Sequence, residues 1–161
     1  MQTFLPVSCF KQSAAFLDDR RLGKQRVECL QILNTLAKGE YSIVEHPPEI
    51  TLYKKKTPWY NHPAVQMWRG FESYLSIYGR IICKEWVHRG FKDTCYEKIF
   101  ESGKLFKVSV DSPSWLGDEK FHSSHRSNLL RKNPTWYNKF GWSEPSNLPY
   151  VWPTKIGNLS A

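Results

Sequence analysis

Residues Asn61–Gly90 read NHPAVQMWRGFESYLSIYGRIICKEWVHRG. Val65, Trp68, Phe71, Leu75, Tyr78, Ile82 and Trp86 recur three or four positions apart. That period places side chains on one face of a helix. It is the longest apolar pattern in the chain, and it makes the expected fold class mainly α. Pro63 suits a first helical turn, Asn61 is the candidate cap and Gly90 the stop. The spacing predicts one long helix from Pro63 to Gly90. Gly70 and Gly79 fall inside it, each costing about 1 kcal/mol against alanine. Close packing against another helix is one use for them.

Upstream, Leu22, Cys29, Leu30, Leu33, Leu36 and Ala37 make a second stripe at helical spacing. The predicted helix is capped by Asp18 or Asp19, runs to about Ala37 and stops at Gly39. Between the two helices, Gly39–Pro58 is polar, contains prolines and carries Lys54-Lys55-Lys56. It reads as a long basic surface loop. Downstream, Thr94–Gly117 is weakly patterned, and Val108-Ser109-Val110 suits a short strand. A third helix is predicted from near Asp118 to near Lys132. Asn133 then caps a short helix opened by Pro134 and stopped at Gly141. The tail from Ser143 holds Pro145, Pro149 and Pro153 and should lie extended. The expectation is a compact single-domain helical fold over residues 1–161, with long loops and an extended C-terminal tail, 142–161. A chain of 161 residues buries a core without disulfide staples.

Twenty-three Lys and Arg against 15 Asp and Glu give a formal net charge of +8. This favours a polyanionic partner. No run of eighteen apolar residues exists to span a bilayer. The first residues, MQTFLPVSCF, lack the basic and apolar regions of a signal peptide. Cys9, Cys29, Cys83 and Cys95 form no CxxC pair and are expected as reduced thiols. A cytoplasmic monomer without a cofactor is expected, at the nucleoid or in an infected host cell.

Three constellations are candidates for chemistry. On the first helix, Arg21, Lys24, Gln25 and Glu28 fall at i, i+3, i+4 and i+7 and share one polar face. A carboxylate among cations that face DNA disfavours binding, which points to chemistry; the other reading is a solvated Lys24–Glu28 pair. Asn61 and His62 stand at the mouth of the predicted long helix, where free N–H groups can hold a phosphate; alternatively they are a cap and a surface residue. In HRSNLLRKNPTWYNKFGW (His125–Trp142), Arg126, Arg131 and Lys132 can neutralise phosphates. Trp136, Tyr137 and Phe140 can stack on unstacked bases, at roughly 1–3 kcal/mol per base, or they can close the core. His122 and His125, three apart, also admit a metal site, though no Cys or carboxylate cluster completes one.

These residues resemble a known family. NPTWYNKFG (Asn133–Gly141), HRGFKDT (His88–Thr94), NHP (Asn61–Pro63) and LDDRRLGKQRVE (Leu17–Glu28) are similar to segments of the pyrimidine-dimer DNA glycosylase/endonuclease V family, from the N-terminus to about Gly141. The resemblance implies a compact helical repair enzyme. Such an enzyme excises a damaged base from double-stranded DNA and nicks the abasic site, the nucleophile being the α-amine of the mature N-terminal residue. It implies Met1 and Glu28 as catalytic residues. His62, Arg126, Trp136 and Tyr137 then fall at or near DNA-contacting positions, and Arg20, Arg21, Lys24, Arg26, Asn61, Arg131 and Lys132 complete the expected DNA-binding set. Base flipping fits the stacking reading.

An α-amine with a reference pKa of about 7.7–8.0 is roughly one-tenth free base at neutral pH, whereas an ordinary lysine is almost wholly protonated. Two departures stand out. Gln2 is bulky for removal of Met1, so Met1 itself is expected to carry the amine. Val27 stands where the family commonly has Arg before its glutamate, with Arg26, Lys24 or Arg21 as candidate substitutes. The competing readings are a non-catalytic nucleic-acid-binding protein and a metal-dependent nuclease built on His122 and His125.

Overall fold

The computed structural model describes residues 1–41 and 57–153. Among the described residues seven α-helices follow one another: α1 (Phe10–Phe16), α2 (Asp19–Tyr41), α3 (Pro63–Gln66), α4 (Glu72–His88), α5 (Tyr96–Gly103), α6 (Glu119–Lys132) and α7 (Pro134–Tyr137). Short 3-10 turns occupy Pro58–Asn61 and Asn138–Phe140. The fold is mainly α, and no strand forms among the described residues. At the predicted strand, Ser109 is tied to the Ser73 hydroxyl and the Gly70 carbonyl, while Val108 and Val110 are exposed. No extended neighbour is there to pair with them. Most of the predicted basic loop, including Lys54–Lys56, lies outside the described residues.

The long stripe is buried as its period demands: Val65, Trp68, Leu75, Tyr78 and Ile82 are inaccessible to solvent. It is nevertheless two helices, not one. Gly70 adopts φ +86°, outside the helical region, and its N–H is accepted by Glu72 Oε1 at 2.9 Å. The chain restarts at Glu72 as α4, with Phe71 as its cap. The cap before Pro63 is His62 and not Asn61, because His62 Nδ1 accepts the Ala64 N–H at 3.0 Å. Nor does Gly39 stop α2, which continues to Tyr41. Gly39 serves close packing: a Cβ there would lie 1.9 Å from Tyr60 Cε2.

α2 packs along α4, and α5 crosses both. Gly79 permits the α2–α4 approach, since a Cβ there would meet the Cys29 Cβ at 3.0 Å. The HRGFKDT motif locks this end of the molecule. Arg89 donates to the carbonyls of Ala14, Ala15 and Leu17 and pairs with Asp19. Phe91 stacks on Trp86 at 4.1 Å. Asp93 accepts the Cys95 and Tyr96 N–H groups at the start of α5 and pairs with Arg26 at 2.6 Å. Burial pushes the Asp93 carboxyl up, and Arg26 with the two N–H groups more than offsets this, holding it below the usual range.

Both ends of the described chain dock on α6. Residues 2–6 run extended and buried with no sheet to satisfy their backbone. Side chains from three helices take the place of a neighbouring strand. From α2, Gln25 accepts the Phe4 N–H at 2.9 Å and donates to the Gln2 carbonyl at 2.9 Å. From α4, the Tyr78 hydroxyl donates to the Phe4 carbonyl at 2.5 Å. From α6, His125 Nδ1 accepts the Leu5 N–H at 2.9 Å, His122 Nδ1 meets the Leu5 carbonyl at 2.8 Å, and Arg126 donates to the Pro6 carbonyl at 2.7 Å. The tail docks on α6 through Ser124, Ser127 and Asn128, which bond the Val151 N–H, the Leu148 N–H and the Leu148 carbonyl.

Candidate active site

The extended N-terminal segment ends over α2. Glu28 is only 6% exposed, and its Oε2 accepts the Gln2 N–H at 2.8 Å. The second oxygen, Oε1, lies 3.6 Å from Lys24 Nζ, whose side chain is exposed. The predicted i,i+4 pair therefore exists, but its carboxylate is not solvated surface. It sits beneath the start of the chain. One peptide unit separates the bonded Gln2 nitrogen from the Met1 amine, so that amine lies within about 6.5 Å of the carboxylate. Met1 and Glu28 line a cleft of about 450 Å³ with Gln31, Asn34, Thr35, Lys38, Thr57 and Trp59. Gln31, Thr35 and Lys38 continue the polar face of Glu28 at helical spacing. That extension was present in the sequence, though it carries no charge pattern to draw the eye.

His62 belongs to the same place. Its pKa is lowered, first by burial and then by the positive charge of the N-terminus. With Nδ1 accepting the Ala64 N–H, the neutral ring carries its proton on Nε2. The ring lies between Trp59 at 5.7 Å and Trp152 at 6.0 Å. Trp152 in turn contacts Tyr150 at 5.6 Å. Burial pushes the Tyr150 phenol up, while Arg131, the Gln2 side chain and Arg21 pull it back.

The cations divide into two groups. Lys132 is held below the usual lysine range by partial burial and by Arg21, Arg131 and Lys24, with Glu28 opposing. These four cations thus lie near one another and near Glu28, with Arg21 paired to Asp18 at 3.2 Å. Arg20 is exposed on the first turn of α2, and Asn61 is exposed at the end of its 3-10 turn. Arg26 lies elsewhere, paired with Asp93 and packed over Trp86 at 4.6 Å. Arg126 is nearly buried between the Pro6 carbonyl, Glu144 and Glu119.

Of the aromatic run after α6, Tyr137 sits in the core and Trp136, Phe140 and Trp142 pack half-buried against it. Tyr137 is fully buried, its hydroxyl donating to Asp18 at 2.5 Å and accepting the Asp18 N–H at 3.0 Å. Trp136 donates to the Phe16 carbonyl at 2.8 Å and is covered by Lys139 at 3.4 Å. Arg126 holds the N-terminal segment and Tyr137 holds the α1–α2 junction. Three further rings lie near the cleft: Trp59 lines it with Met1, and Trp152 and Tyr150 join it through His62. The sequence reading missed them because two belong to a tail with no periodic pattern.

His122 and His125 also have their ring nitrogens turned inward. His122 Nε2 accepts the Gly117 N–H at 2.9 Å. Burial holds both rings below the usual histidine range, His125 at about 3. Among the described residues no group of three or more His, Cys, Asp or Glu could hold a metal ion, and no helix is long and apolar enough to cross a membrane.

A helical fold that sets a chain terminus over a carboxylate, within a cationic and aromatic rim, has the parts of a DNA-repair glycosylase. The chain belongs to the pyrimidine dimer DNA glycosylase family, whose model matches residues 1–98. The match takes in Met1, Glu28, His62 and HRGFKDT, and NPTWYNKFG lies beyond it. No curated protein and no solved structure matches the chain.

Proposed function

We propose that the protein excises a damaged pyrimidine from double-stranded DNA and then cleaves the abasic site, with the Met1 α-amine as nucleophile and Glu28 as its acid–base partner. The observation that carries this reading is the Gln2 N–H bond to Glu28, which fixes the amine beside a buried carboxylate in an open cleft. The free-base amine attacks C1′, and the bond from C1′ to the base breaks with its electron pair leaving on the base. Glu28 takes a proton from the attached nitrogen. It returns a proton to O4′ as the C1′–O4′ bond opens and the imine forms. Loss of a C2′ proton then expels the 3′ phosphate by β-elimination, and water hydrolyses the imine. Arg21, Lys24, Arg131 and Lys132 are the phosphate contacts in this reading. Lys24, beside Glu28, is the best placed cation to stand in for the arginine that Val27 replaces.

Borohydride trapping tests the scheme. The protein should form a covalent adduct with duplex carrying an abasic site, and acetylating the N-terminal amine should abolish it. Normal trapping by the blocked protein transfers the role to a lysine, with Lys24 first in line. Salt-dependent binding without any adduct leaves a DNA-binding protein that does no chemistry.

A further inference from the structure

Seven tryptophans need places in this fold. Trp68 and Trp115 meet edge to face in the core at 4.9 Å. Trp86 lies under Arg26 and Phe91, Trp136 bonds Phe16, and Trp142 stacks on Tyr137. That leaves Trp59 and Trp152. Trp59 is 52% exposed and stands outside the core, yet it lines the cleft that holds Met1 and Glu28. Trp152 comes from the far end of the described chain, packs half-buried against the core and meets the His62 ring edge to face at 6.0 Å.

The run Trp59, His62, Trp152, Tyr150 has successive centroid distances of 5.7, 6.0 and 5.6 Å. It starts at the cleft wall and ends beside Gln2. Elements 90 residues apart in sequence supply it. The α6 contacts to Leu148 and Val151 fix the approach of the tail. An exposed indole beside an amine-and-carboxylate pair gains nothing from folding. It has use only if something flat covers it.

We propose that Trp59 and Trp152, with His62 between them, form the stacking surface that receives a nucleobase drawn out of the duplex next to the Met1 amine. The inference rests on the glycosylase reading and assigns its base-recognition residues. Stacking on a ring face tolerates either pyrimidine and discriminates against bases still held in the helix. The residues act on base capture and not on the sugar chemistry, so the two steps should separate.

The test compares wild type, Trp59→Ala, Trp152→Ala, Trp59→Phe and Trp152→Phe. Each receives a duplex with one cyclobutane pyrimidine dimer and a duplex with a preformed abasic site, and thermal unfolding is followed alongside. Each alanine variant should slow single-turnover base excision by roughly 5- to 150-fold, the range of a lost base–aromatic stack. The phenylalanine variants should recover most of that rate, and cleavage at the preformed abasic site should fall far less than excision. Unchanged excision in both alanine variants overturns the proposal. So does a parallel loss of excision and abasic cleavage, which marks the rings as supports for the fold. Failure of the underlying reading appears separately, as a wild type that neither excises the dimer nor traps on the abasic duplex.

Discussion

In the proposed mechanism Glu28 has two tasks that one substitution can separate. Its Oε2 anchors Gln2, and its charge faces the amine. Glu28→Gln keeps an oxygen for the Gln2 N–H and removes the charge and the proton shuttle. Base excision should fall by two orders of magnitude or more, on the order of a lost acid–base group. Binding to undamaged duplex should hold or tighten, because a negative charge near phosphates has gone. Parallel excision kinetics and binding isotherms check both parts, and full activity in this variant removes Glu28 from the mechanism. The carboxylate itself was legible in the sequence through its helical register with Arg21, Lys24 and Gln25. Its burial was not. That depends on residues 2–6, whose only signature is the absence of a pattern, and on partners 120 residues away.

At the scale of elements, periodicity identified the buried faces correctly and misjudged continuity. A stripe at three- and four-residue spacing looks the same whether one helix carries it or two share it. Gly70, with φ +86°, made the difference. Gly39 misled in the opposite sense, because a glycine near a helix end suggests a stop, whereas here it admits the Tyr60 ring. Gly39→Ala should therefore destabilise the protein. Helix propensity favours alanine by about 1 kcal/mol, but a Cβ 1.9 Å from Tyr60 Cε2 forces a repacking that costs typically 1–3 kcal/mol. The displaced ring belongs to the turn that carries Trp59 and precedes His62, so excision should fall further than the midpoint of urea unfolding implies. A gain in stability would show that the ring moves aside freely.

Across the whole molecule, charge and buried histidines set the response to solution conditions. The +8 charge is unevenly available. Lys24 and Lys132 are exposed, Lys24 at 3.6 Å from Glu28, while Arg126 is bonded inside the fold. Each phosphate contact contributes about −0.9 to the slope of log K against log salt. Lys24→Ala and Lys132→Ala should each flatten that slope by about one contact, measured between about 50 and 200 mM salt. Arg126→Ala should lower stability and leave the slope alone. Acid should loosen the N-terminal segment. The neutral forms of His62, His122 and His125 are favoured in the folded protein, and their stabilising contribution is whole above the unfolded pKa of about 6.5 and lost as pH falls toward the folded values. For His125, at about 3, the loss by pH 5 is on the order of 2 kcal/mol, since a protonated Nδ1 cannot accept the Leu5 N–H. Urea midpoints at pH 7 and pH 5 check this, and equal midpoints would show that His125 is not held neutral.

The hold of α6 on Leu5 and Pro6 also has a consequence in time. Residues 2–6 are synthesised well before their partners, and His122, His125 and Arg126 follow about 120 residues later. At 5–20 residues per second that delay is roughly 6–24 s. Throughout it residues 2–6 lack the α6 side chains that hold them. Any trimming or acylation of the Met1 amine in that interval precedes the cleft.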